Sequence, residues 1–146
     1  MASPIEPLPD LGPRLVPRGR LLLVEDDPLL LPVYARILRR AGYEVVELGT
    51  GDEVPAVVER EPFDLVLTDV GLPGTSGIEL LRAIRAQAPD LPVVLMTGGN
   101  DVADAARAVE LGALRYLLKP IAPATLVQAA DDAMSAARAR PAFTRN

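Results

Sequence analysis

The chain has 146 residues and a formal net charge of −5, with 49% apolar residues, only 3% aromatics, and neither histidine nor cysteine. That length suits one domain with an aliphatic core, and the two absences remove Ser-His-Asp and Cys-His nucleophiles, disulfides, and any metal site built on imidazole or thiolate. A bound metal must then be held by oxygen, which points to Mg2+, Ca2+ or Mn2+, while the acidic balance argues against a general nucleic-acid-binding surface.

Residues 1–18 hold Pro4, Pro7, Pro9, Pro13 and Pro17 without any helical or strand period, so they are expected to form an extended or disordered leader. Leu21-Leu22-Leu23-Val24 is a continuous apolar run, as expected of a strand buried on both faces. Asp27 and Pro28 have the pattern of an N-cap and first helical residue, opening a helix to about Ala41 with Gly42 as its stop. Pro32 inside that helix predicts a late start or a kink. Residues 43–48 form a second strand, and Thr50-Gly51-Asp52-Glu53 has capping-box spacing for a second helix, weakened by Pro55.

A third strand runs from 63 to 68, followed by the turn Gly71-Leu72-Pro73-Gly74. Ser76-Gly77-Ile78-Glu79 is another capping box, opening a helix to about Ala88. Residues 92–97 are a fourth strand, Gly98-Gly99-Asn100 leads into a helix ending at Gly112, and 114–118 are a fifth strand. Pro123 opens the last helix, to about Arg138, and residues 140–146 are expected to be a tail or linker. Five strand–helix repeats, spanning a domain at 19–139, imply an α/β fold with a parallel sheet covered by helices on both faces.

In such sheets ligands bind beyond the carboxyl ends of the strands, near the switch in strand order. The residues that close the strands are Glu25-Asp26-Asp27, Asp69, Thr97 and Lys119. Asp27, next to Pro28, reads more readily as a helix cap, and Thr97 reads equally well as a cap or a loop hydroxyl. Asp69 is different, because no regular helix follows it directly. Lys119 is the one lysine beside fourteen arginines; alone it fits a snorkelling surface residue, but lysine and arginine are not interchangeable where a thin, compact cation is needed. Converging carboxylates repel one another, and a divalent cation with oxygen ligands, Mg2+ above all, relieves that conflict.

These segments resemble the receiver domain of bacterial two-component response regulators. The resemblance lies in Leu22-Leu23-Val24-Glu25-Asp26-Asp27, in the run from Asp64-Leu65-Val66-Leu67-Thr68-Asp69 to Pro73-Gly74-Thr75-Ser76-Gly77, in Val93-Val94-Leu95-Met96-Thr97-Gly98, and in Gly112-Ala113-Leu114-Arg115-Tyr116-Leu117-Leu118-Lys119-Pro120. It covers about residues 20–138. It implies a flavodoxin-like fold of five parallel strands in the order 2-1-3-4-5 flanked by five helices. It further implies that Asp69 is the phosphoacceptor, and that Asp26, Asp69 and the backbone carbonyl of Gly71 bind Mg2+, with Glu25 completing the acid pair through water. Thr97 and Lys119 would contact the phosphoryl group, Tyr116 would be a rotating switch aromatic, and Lys119–Pro120 would be a cis peptide.

The implied partners are a sensor histidine kinase or phosphotransfer protein, an output domain or partner protein, and a second copy through helix 4, strand 5 and helix 5, with no nucleic acid bound by this domain. Such a module is not an enzyme beyond its own phosphorylation and dephosphorylation. The alternatives are a phosphorylation-independent interaction module and an aspartyl-nucleophile phosphatase. The second wants an acid two residues after the nucleophile, where this chain has Gly71. No apolar run approaches the ~20 residues that span a bilayer, and the opening Met1-Ala2-Ser3-Pro4-Ile5-Glu6 lacks the features of a signal peptide. No membrane association and a cytoplasmic location are therefore expected.

Overall fold

The computed structural model describes residues 17–72, 74–99 and 102–139. The expected leader up to residue 16, the expected tail at 140–146, and Pro73 and Asn100 lie outside the described residues. Strands β1 (Arg20–Val24), β2 (Glu44–Leu48), β3 (Leu65–Asp69), β4 (Val93–Thr97) and β5 (Arg115–Leu118) alternate with helices α1 (Leu30–Arg40), α2 (Val54–Arg60), α3 (Gly77–Gln87), α4 (Val102–Glu110) and α5 (Pro123–Arg138). The strands form one sheet in the order β2-β1-β3-β4-β5, every pair parallel. This is the expected fold.

The apolar runs of the central strands are explained by two cores. Successive side chains on a strand point to opposite faces, so Leu21 and Leu23 join Leu65, Leu67, Val94 and Met96 beneath α1 and α5. Leu22 and Val24 point the other way, into a second core with Val66, Val93, Leu95 and the buried faces of α2 and α3. Strands β3 and β4 are buried along their whole length, which leaves their polar last residues, Asp69 and Thr97, at the sheet rim.

Helix boundaries follow the proline positions. Helix α1 begins at Leu30 rather than Pro28, because the Asp27 carbonyl accepts from the Leu30 and Leu31 amides while its carboxylate accepts from the Leu29 N–H at 2.8 Å. Pro32 then falls in the first turn, where its missing N–H is not needed. The helix stops at Gly42, whose φ of 106° is left-handed and suits a residue without Cβ. The capping box expected at Thr50 does not form. The Thr50 hydroxyl accepts from the Asp52 N–H instead, and α2 starts at Val54 with no side-chain cap and proline in its first turn. The box at Ser76 and Glu79 does form, closed in both directions.

Arg18, expected in the leader, is bound to the folded body. Its guanidinium meets Asp131 of α5 at 2.7 Å, donates to the Ala41 carbonyl at 2.9 Å and lies over the Tyr43 ring. Tyr43 in turn donates to Asp131, and Arg138 donates to the Arg18 carbonyl. Deletion through Arg18 is therefore expected to lower the melting temperature by several degrees relative to deletion of residues 1–17. About 1 kcal/mol for a half-exposed network in a domain of this size sets that scale. Thermal unfolding of the two truncations, followed by circular dichroism, checks it, and equal melting temperatures would show that Arg18 contributes nothing.

Candidate functional site

Four strands deliver polar groups to the carboxyl edge of the sheet. Glu25 and Asp26 follow β1 directly, Asp69 ends β3, Thr97 ends β4 and Lys119 follows β5. The parallel register holds them in line, since Val24 pairs with Thr68, Asp69 with Met96 and Thr97 with Leu118. One backbone bond continues each of the β3–β4 and β4–β5 ladders past the strand ends, from Val70 N–H to the Met96 carbonyl and from Lys119 N–H to the Thr97 carbonyl. The Lys119–Pro120 peptide bond is cis.

The Lys119 ammonium sits between two carboxylates, 2.5 Å from Glu25 Oε1 and 3.2 Å from Asp69 Oδ2. The Asp27 N–H donates to the other Glu25 oxygen at 3.1 Å, and the Gly71 N–H donates to Asp69 Oδ1 at 3.3 Å. Glu25 is 1% exposed, Asp69 7% and Thr97 6%, whereas Asp26 is open to solvent. The Thr97 hydroxyl accepts from the Gly99 N–H at 3.0 Å. Tyr116 is half-buried, packed against the core on the α3 side.

Burial pushes the Glu25 carboxyl above the usual carboxylate range, against the pull of the Lys119 bond and the Asp27 amide, and the nearby Asp69 charge adds to the rise. Burial works against the Lys119 cation too, but the bonds to Glu25 and Asp69 and their charges outweigh it and hold its pKa above the ordinary lysine value. The site therefore keeps a fixed cation among its acids.

Oxygens of Glu25, Asp26 and Asp69 lie within 4.8 Å of one another. Opposite ligands of an octahedral Mg2+ are separated by about 4.2 Å, so these all-oxygen donors, two buried and one open to water, fit such an ion with little adjustment. The Asp27 carboxylate is not part of that cluster and serves the turn before α1.

Two contributors escaped the sequence reading. Tyr34 of α1 is buried beneath the site, its phenol raised by burial and lying in the field of Lys119, Glu25 and Asp69; its only signal in the sequence was a place on the inward helical stripe. Gly77 lets the start of α3 touch the Asp69 backbone, and its signal was a glycine at a helix's first position, where it costs little but is not required.

The family model for the response regulator receiver domain matches residues 21–131. The chain is 38% identical over 116 residues to the transcriptional regulatory protein GlrR of Escherichia coli, covering 80% of this chain and 26% of that one. It is 37% identical over 110 residues to the DNA-binding response regulator MtrA of Mycolicibacterium smegmatis, covering 75% and 48%. Among solved structures, a CheY-like receiver domain protein from Methanospirillum hungatei superposes with a TM-score of 0.78 at 31% identity, over 82% of this chain and 95% of that one. The chain belongs to the response-regulator receiver family. It spans between about a quarter and a half of the length of these curated relatives. Among the described residues, no helix is long and apolar enough to cross a membrane.

Proposed function

We propose that this chain is a phosphoacceptor receiver that takes a phosphoryl group onto Asp69 in the presence of Mg2+ and answers by changing the surface formed by α4, β5 and α5. The observation that carries this reading is the lone lysine bridging Glu25 and Asp69 beside an oxygen cluster of metal-binding size. Asp26, Asp69 and the Gly71 carbonyl would hold the ion, with Glu25 reached through water. When bound, Mg2+ supplies charge neutralisation for the phosphoryl oxygens.

The chain's own residues account for the rest. The donor is the phosphohistidine of a sensor kinase or phosphotransfer protein, or a small phosphodonor. An Asp69 carboxylate oxygen forms the new bond to phosphorus as the P–N or P–O bond of the donor breaks, and the leaving group keeps that electron pair and takes a proton. In phosphoryl transfer, positioning and electrostatic compensation do most of the work. The Gly71 amide orients the nucleophile, and the Lys119 ammonium stands ready for the incoming charge. Among the described residues, and chain neighbours aside, no heavy atom would lie within 4 Å of a Cβ on Gly71 or Gly98, and the nearest to one on Gly99 is Thr97 Oγ1 at 3.7 Å. None of the three glycines puts a side chain of its own in the way of a donor.

Once Asp69 carries about −1.5 to −2 of added charge, the Thr97 hydroxyl bonds a phosphoryl oxygen and Tyr116 turns into the space it leaves. This is a shift between two populated states. Val109 and Leu118, 73% and 61% exposed on the α4–β5 side, offer an apolar surface for an output domain, a partner protein or a second copy.

The test is incubation with Mg2+ and a small phosphodonor, read by intact mass and by peptide mapping. One added phosphoryl group on the peptide holding Asp69 is expected, lost when the metal is chelated. No uptake, or uptake elsewhere, overturns the reading. A second measurement separates the two acids after β1. Asp26→Asn is expected to weaken Mg2+ binding by about tenfold or more, the scale of losing a charged oxygen ligand. Asp27→Asn should change it by less than about twofold, because Asp27 serves the turn before α1. Calorimetric metal titration of both variants checks this, and the reverse order would place the ligand one residue later.

A further inference from the structure

We infer that Asp52 and Thr75 are positioning residues for the phosphoacceptor site, acting through the β3–α3 loop; the inference rests on the metal-dependent reading above and names what holds that site in shape. The loop leaves Asp69 and returns at the N-cap Ser76. Its first contribution is the Gly71 amide, which donates to the Asp69 carboxylate, and the same residue carries the carbonyl assigned to the metal. Loops lacking a ladder of their own keep such geometry only where something else restrains them.

Three restraints are visible. At the near end, a Cβ on Gly77 would lie 2.5 Å from Val70 Cα and 2.6 Å from the Asp69 carbonyl oxygen, and the Gly77 N–H donates to the Val70 carbonyl at 2.8 Å. The first turn of α3 is therefore pressed against the nucleophile's own backbone. In the middle, Leu72 is buried in the core on the α3 side, where a Cβ on Gly51 would come within 3.2 Å of it and 3.3 Å of the Thr75 carbonyl. At the far end, the Thr75 hydroxyl donates to the Asp52 carboxylate at 3.0 Å, across 23 residues of sequence.

The Asp52–Thr75 bond is the one side-chain tie in this set, joining the turn before α2 to the loop that shapes the site. Gly51 lets that turn come close enough for the bond to form. Asp52 touches none of Glu25, Asp26, Asp69 or Lys119 in any hydrogen bond or ion pair among the described residues. Its one hydrogen-bonded link toward the site among the described residues is Thr75.

The experiment is calorimetric Mg2+ titration of the full chain and of four variants, with the Gly71 amide followed by NMR. Thr75→Val and Asp52→Ala are expected to weaken Mg2+ binding by about three- to tenfold, the weight of one hydrogen bond to a charged group, and to shift the Gly71 amide with melting temperatures nearly unchanged. Thr75→Ser keeps the hydroxyl and Asp52→Asn keeps an acceptor oxygen, so both should bind within about twofold of the wild type. Wild-type binding by Thr75→Val and Asp52→Ala, with an unmoved Gly71 amide, overturns the inference. So does an Asp52→Asn variant as weak as Asp52→Ala, which would make Asp52 a distant charge rather than a brace. If the wild type binds no Mg2+, it is the functional reading that fails, and the inference with it.

Discussion

Asp69→Asn is expected to abolish phosphoryl uptake while leaving the fold intact. The amide is nearly the size of the carboxylate, and its oxygen still accepts from the Gly71 N–H, so the local turn has no reason to open. What disappears is the anionic oxygen that would attack phosphorus, and no neighbour replaces it. Glu25 is 1% exposed with one oxygen on Lys119 and the other on the Asp27 amide, so it cannot meet a donor in line. Asp26 is open to solvent, but Lys119 makes its ion pairs with Glu25 and Asp69. Stability should be unchanged or slightly higher, because removing one charge from three clustered carboxylates relieves repulsion. Intact mass after incubation with Mg2+ and phosphodonor, together with a melting curve, checks both halves. Uptake by the variant equal to that of the wild type would move the phosphoacceptor elsewhere.

The second large effect concerns the lone lysine. Lys119→Arg is expected to fold, keep its charge and respond poorly. The side chain, only 15% exposed, reaches carboxylates at the ends of two different strands from a thin stem. A guanidinium is wider and favours two parallel bonds to one carboxylate, so it would settle on Glu25 or Asp69 and lose the bridge. Lys119→Ala should do the opposite to the metal. With the fixed cation gone from an acid cluster 4.8 Å across, Mg2+ is expected to bind several-fold tighter, while the phosphoryl group loses the partner that couples it to the β4–β5 edge. Metal titration and phosphorylation-dependent NMR shifts around Thr97 and Tyr116 check the pair. A wild-type response from Lys119→Arg would mean that the position needs only charge.

Why the lysine holds both acids follows from the sheet order. Glu25 and Asp69 lie forty-four residues apart in the chain, yet β1 and β3 are neighbours in the sheet. Lys119 comes from β5 at the edge, two strands away from β3, and only its long side chain closes that gap. An arginine-rich chain that retains one lysine at this spot is therefore understandable on steric grounds, with charge common to both residues.

The architecture itself was legible in one dimension because its causes are local. Apolar runs of three or four residues, at 21–24, 65–67 and 93–96, mark the central strands buried on both faces, and Gly42, Gly112, Pro123 and the Ser76–Glu79 box mark helices with defined ends. The acids that close β1 and β3 were legible too, since charged residues ending apolar strands come to the sheet's carboxyl edge, where ligands bind. Helix starts near prolines were less so: Asp27 and Thr50 each had a turn available as well as a helix, and the turn closed first.

Only the tertiary structure decided the pairings. That Arg18 belongs to the domain depends on Asp131 and Tyr43, more than a hundred and about twenty-five residues onward, being brought to one place. That Thr75 binds Asp52, that Gly77 must lack a Cβ, and that Lys119 bonds Glu25 as well as Asp69 depend on distances set by the packing of whole layers. Periodicity and capping are written within a few residues and survive in the sequence. Which distant side chain completes a bond depends on sheet order and helix placement, and those exist only once the chain has folded.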